Sequence, residues 1–164
     1  MKASRLASFC SQLAYPIRTL LAAIAALLAA RLLTLPESYW AAITALIVVQ
    51  PDFRATLRIS WQRLIGTAIG AGVGAVFASL FGRLVPIYAL GLLVVGLVST
   101  VLRLGRPANR FAGIAFSIVF LVVKVEPAWQ IAVHRFIEVS IGILSGLVLS
   151  AIWPEPKIGD ERLG

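Results

Sequence analysis

Two arginines open two similar stretches of this chain. Arg63 begins RLIGTAIGAGVGAVFAS and Arg135, 72 positions later, begins RFIEVSIGILSGLVLSA. A guanidinium presents a rigid fork of N–H donors that matches a carboxylate, so an arginine at the mouth of an apolar run is a candidate contact for a small organic anion. Glu138 follows Arg135 by three residues. A carboxylate inside an apolar helix is costly and by default functional; its plainer reading is an i,i+3 ion pair with Arg135. Glu138 and the only histidine, His134, are the proton-coupling candidates. The other chemistries find no residues. Cys10 is the only cysteine, so no intrachain disulfide or cysteine metal site can form. No nucleophile triad, metal-ligating cluster or phosphate loop is present, so neither an enzyme nor a cofactor is expected.

The elements that must position these groups are apolar. Of 164 residues 60% are hydrophobic and 13% charged, with a mean hydropathy of +0.94. Soluble domains carry roughly 25% charged residues. The net charge of +8 sits in short clusters between long apolar runs, unlike the one-faced basic surface of a nucleic-acid module, so no nucleic-acid partner is expected. The partner implied is a lipid bilayer.

Six charge-free runs predict an all-α membrane protein of six transmembrane helices, at about 16–35, 38–50, 63–82, 84–103, 109–124 and 128–153. They form one domain over 1–154, with 155–164 as a polar tail and no room for a soluble domain. The run 20–30 is read as a retained helix rather than a cleaved leader. Residues 52–62 predict a short interfacial helix between helices 2 and 3, with Phe53, Leu57, Trp61 and Leu64 on one face and Arg54 and Arg58 on another. With six spans, eleven of the fifteen Lys and Arg fall on the side that holds both termini; by the positive-inside rule that side is cytoplasmic. Each arginine taken alone also reads as a topological anchor.

The 72-residue shift brings Gly70 onto Gly142 and Gly74 onto Gly146. Each half then holds three spans, an odd number, so the halves cross the bilayer in opposite senses: a 3+3 inverted repeat, in which a site at the repeat interface is expected. The second run of each half is short, with Pro51 or Pro127 close behind it. Gly66, Gly70 and Gly74 share one helix face, as do Gly142 and Gly146, and predict close helix packing. Glu138 stands where the first half has Gly66. Tyr39, Trp40, Trp129 and Trp153 read as interfacial belt residues, and their rings also offer stacking surfaces to an aromatic anion. Tyr39, Trp40 and Trp129 are therefore kept beside Arg63 and Arg135 as substrate-contact candidates.

The segment PESYWAAITALIVVQPDFRATLRISWQRLIGTAIGAGVGA resembles the fusaric acid resistance-like, aromatic acid exporter family. The resemblance rests on Tyr39-Trp40-Ala41, on Gln50-Pro51, on Arg63 with Gly66-Thr67 and Gly70, and on Arg135 followed by Glu138; it covers residues 15–154. It implies a six-helix unit of the bacterial inner membrane that exports small organic anions, aromatic carboxylic acids among them, and adds Gln50 to the substrate contacts. It also implies a homo-oligomer, most simply a dimer, with the Gly66/Gly70/Gly74 face or its counterpart at the interface. A passive anion channel and a non-transporting scaffold subunit are the alternative readings.

Overall fold

The computed structural model describes residues 2–122 and 126–153, with side chains from residue 13 onward. Lys124 and the tail at 155–164 lie outside the described residues. Six helices follow in order: α1 (Lys2–Leu32), α2 (Tyr39–Val48), α3 (Phe53–Leu80), α4 (Val85–Val101), α5 (Arg106–Leu121) and α6 (Ala128–Ile152). Three stretches are long and apolar enough to cross a bilayer: Leu13–Leu32, Phe53–Leu80 and Ala128–Ile152. At 1.5 Å per residue α2 is only about 15 Å long and α5 about 24 Å.

Burial is inverted relative to a soluble bundle. Leu20, Leu28, Leu93, Leu97, Leu144 and Val148 face outward, while alanines and the charged groups Arg18, Arg63, Arg135 and Glu138 are buried. An outer shell of large apolar side chains around small and polar ones suits a hydrocarbon solvent, where helix association rests on close packing rather than on apolar burial.

Two expected boundaries move. The first helix begins at Lys2 instead of about 16, because Pro16 sits inside it; a proline removes one backbone bond but does not by itself end a helix. The separate interfacial helix at 52–62 does not form. Those residues are the first turns of α3, which runs unbroken from Phe53 after the Asp52 carboxylate accepts the Ala55 N–H at 3.2 Å. Nothing between 53 and 65 breaks a helix, and each later glycine of the ladder lies against another helix. Both faces expected of that segment are exposed. Phe53, Leu57 and Trp61 face outward with Arg54 and Arg58, while Thr56, Ser60, Arg63 and Thr67 form the buried face.

Glycine sets the helix contacts. A Cβ at Gly66 would meet the Ala108 carbonyl, and one at Gly70 the Ala112 carbonyl, so α3 lies backbone to backbone on α5. Gly142 and Gly146 do the same for α6 on α2, against Ala41, Thr44 and Val48. Both ladders are thus used within the chain, and the expected subunit interface on the Gly66/Gly70/Gly74 face is corrected. Gly70→Ala is expected to cost about 1–3 kcal/mol, because the added methyl meets fixed backbone. Gly72→Ala, where nothing lies within 4 Å, is expected to be neutral or slightly stabilising. Thermal unfolding of the two variants in detergent measures the difference.

The remaining contacts pair α1 with α2 and α6, and α4 with α5 and α3; α3 and α6 cross each other. α1 and α4 also end alike. Each closes on a non-glycine residue in the left-handed region, Thr34 (φ 54°) and Arg103 (φ 52°). Each closure carries the same bond across five residues, Leu35 N–H to Ala30 O and Leu104 N–H to Ser99 O.

Candidate functional site

Where α3 crosses α6, the buried face of α3 carries Arg63 and that of α6 carries Arg135, 4% and 3% exposed. Each guanidinium is covered by an aromatic ring from one of the two short helices. Arg63 lies 4.9 Å from the centroid of Phe111 at the start of α5, and Arg135 lies 4.1 Å from that of Trp40 at the start of α2. Ring faces attract cations, more so when water is excluded. The Nε and Nη2 of Arg63 donate to the Thr44 hydroxyl at 3.2 and 3.1 Å. Both arginines, Trp40, Thr67, Phe111 and Val139 line one cavity of about 10 Å³, room for roughly one water.

The two arginines differ in their counter-charges. Arg135 Nη2 donates to Glu37 Oε2 at 2.7 Å, and its Nη1 lies 3.5 Å from Glu138 Oε2. Glu138, 1% exposed, also accepts the backbone N–H of Glu37 at 3.1 Å and so ties the α1–α2 connection to α6. Arg63 has no carboxylate within ion-pair distance among the described residues; its polar partner is a neutral hydroxyl. Burying a charge without a counter-ion costs several kcal/mol, so Arg63 is the group with most to gain from an arriving anion.

Of the residues singled out in the sequence, Arg63, Arg135, Trp40 and Glu138 come together. Four others do not. Tyr39 is half exposed, its ring 5.6 Å from that of Trp40 and outside the cavity lining. Gln50 builds the α2–α3 turn: its N–H donates to Thr56 Oγ1 at 2.9 Å and its side-chain amide to Ile47 O at 3.2 Å. Trp129 faces outward beside Ala75, Val76 and Leu80. His134 points to Glu126, 3.9 Å away, instead of into the cavity. Arg18, grouped with the topological anchors, is buried, and donates to Gln50 O at 2.8 Å and Trp153 O at 2.9 Å. It thereby binds the carbonyl ends of α2 and α6, where a cation is favoured.

Sequence reasoning missed Glu37, Thr44 and Phe111. A signal for Phe111 was available. The 72-residue shift that aligns α3 with α6 puts Trp40 on Ala112, whereas a shift of 71 puts it on Phe111 and Ala41 on Ala112. One residue is missing between the halves, and the second of the two capping rings becomes visible only once that is allowed for.

The fusaric acid resistance protein-like family matches residues 22–149, a stretch that contains all the residues of the cavity. An uncharacterized protein of Haemophilus influenzae is 30% identical over 128 residues, covering 73% of this chain and 17% of that protein. Inner membrane protein YccS of Escherichia coli is 27% identical over 124 residues, with the same two shares. The chain therefore spans about one-sixth of the length of these relatives. No solved structure is significantly similar to it. A family match over more than three-quarters of the chain, reaching from α1 to α6, leaves one assignment: this is a membrane protein of the fusaric acid resistance protein-like family.

Proposed function

We propose that this unit carries small organic anions, aromatic carboxylates among them, outward across the bacterial inner membrane, with the Arg63/Arg135 cavity as the binding site. The observation that carries the reading is the pair of buried, ring-capped arginines facing one space between α3 and α6. A guanidinium fork suits a carboxylate, and Trp40 and Phe111 suit the ring of an aromatic acid. The cavity is nearly filled, which favours alternating access over a standing channel.

In this reading all six helices cross the membrane as a 3+3 inverted repeat. Exchanging α1 with α4, α2 with α5 and α3 with α6 maps the observed helix contacts onto one another, and the matching closures of α1 and α4 fit the same exchange. The short helices α2 and α5 each bring a capping ring to the site, as shortened helices do in such transporters, and local thinning of the bilayer accommodates their length. The unit works as a homodimer whose contact lies away from both glycine ladders.

Flux of a panel of carboxylates into proteoliposomes, with and without a pH gradient, tests the function. Benzoate is expected to be carried and a neutral analogue, benzamide, to be excluded; equal flux of both removes the anion site. A further expected outcome concerns topology. Both termini face the cytoplasm, so a reporter fused after Gly164 reads cytoplasmic, and a periplasmic signal overturns both the orientation and the inverted repeat.

A further inference from the structure

We propose that Glu37 is a tethered carboxylate that holds, on Arg135, the place of the transported anion, and that a substrate carboxylate enters by displacing it. This rests on the reading of Arg63 and Arg135 as anion contacts. Glu37 Oε2 lies 2.7 Å from Arg135 Nη2, closer than either contact of Arg63. Unlike Glu138, Glu37 is not on a helix. It belongs to the short connection between α1 and α2, and its side chain is 17% exposed, so it can swing out without unwinding anything. The connection contains Thr34, a β-branched residue at φ 54°, a strained conformation that surrounding contacts must hold. Among the contacts that tie this connection down are the bond from the Glu37 side chain to Arg135 and that from its N–H to Glu138.

The other half of the molecule bears on the same point. Under the repeat, the position of Glu37 corresponds to Ala108 and that of Glu138 to Gly66, and there the arginine has no carboxylate. The fold packs without an acid at that place, so the acid has another use. Charge and volume agree. Two arginines, Glu37 and Glu138 sum to zero; a monocarboxylate that replaces Glu37 keeps the sum, whereas one that joins it adds an unmatched buried charge. A cavity of about 10 Å³ admits no carboxylate unless a group of that size leaves. One charge leaves as one arrives, so the site selects monoanions over dianions, and removal of Glu37 strengthens the binding of both without reversing that order.

Trp40 reports on the site. The other tryptophans, Trp61, Trp129 and Trp153, lie on the outer surface and are replaced by phenylalanine. The purified full chain is then titrated in detergent with benzoate and with phthalate, following Trp40 emission. With Glu37 present, benzoate is expected to bind and phthalate to bind far more weakly. Glu37→Gln is expected to tighten benzoate about tenfold, the scale of one charge-assisted hydrogen bond released for use, and phthalate by a similar factor, with phthalate still the weaker ligand. Glu37→Asp, one methylene short of Arg135, is expected to tighten benzoate by a smaller factor and serves where the glutamine variant does not fold. Unchanged or weaker benzoate binding in whichever of these variants purifies folded overturns the proposal. Its failure is separable from that of the anion site: benzoate binding that Arg63→Gln abolishes but Glu37 variants do not tighten sinks the displacement alone, whereas no benzoate response in any variant sinks both.

Discussion

Arg63→Gln is expected to lower benzoate flux about ten- to a hundredfold and to leave the yield of folded protein almost unchanged. The size follows from the loss of one charge-assisted contact, about 1.5–3 kcal/mol. The unchanged yield follows from the surroundings of Arg63, a threonine hydroxyl and a phenylalanine face. Neither becomes a stranded charge when the guanidinium goes, and glutamine can still donate to Thr44. Arg135→Gln separates from it. That change leaves Glu37 and Glu138 facing the same buried space without a cation. Removing one partner of a buried ion pair costs about 3–5 kcal/mol, so Arg135→Gln is expected to fold poorly whatever its effect on flux. Two arginines that open similar stretches of sequence thus give unequal phenotypes. Equal flux and equal yield for the two variants would show that the carboxylates do not distinguish them, and wild-type flux in Arg63→Gln would reduce that residue to an anchor.

How much of this was legible beforehand depends on the range of the interaction. Six apolar runs gave six helices because helix formation in an apolar chain is local and follows length and charge-free composition. Glycines four apart read correctly as packing faces, since spacing fixes which residues share a face. Spacing does not say which neighbour that face meets, and both ladders met helices of the same chain instead of a second subunit. Arg63 and Arg135 were found through the repeat. Glu37 was not, because its partner Arg135 is 98 residues away and its own connection carries no periodicity to read. The interfacial helix was misread for another reason. Phe53, Leu57 and Trp61 do turn outward, as an interfacial helix would turn them to lipid, but the polar stripe of Thr56, Ser60 and Arg63 packs inward, so the segment continues into α3 instead of lying apart. The rule for which face is buried reverses with the solvent.

Glu138→Gln is expected to lower the yield of folded protein, and adding Arg135→Gln to restore part of it. Glu138 is sealed from solvent, and its contacts include a charged one to Arg135 and one to the backbone N–H of Glu37. Glutamine keeps an oxygen for the N–H but loses the charge. Arg135 is then left with Glu37 as its only carboxylate partner among the described residues. A buried polar group that loses such a partner costs roughly 1–3 kcal/mol. In the double variant the cation is gone as well, and Glu37, on its exposed connection, can turn to water. Residues that share one network depart from additivity by about 0.5–3 kcal/mol, so the double variant is expected to be more stable than the sum of the two single losses. The other role open to Glu138 is proton coupling, in which it would take up a proton as the anion leaves Arg135. That role makes a different forecast: a variant that folds and binds benzoate normally but whose flux no longer responds to a pH gradient. Yield, benzoate binding and gradient response, measured on Glu138→Gln, Arg135→Gln and the pair, decide between them. Because Glu138 contacts the connection that carries Glu37, the coupling role also requires benzoate affinity in Glu138→Gln to stay at the wild-type value. The positioning role instead requires it to shift, because Arg135 loses one of its two carboxylates and is shared differently between Glu37 and an arriving anion.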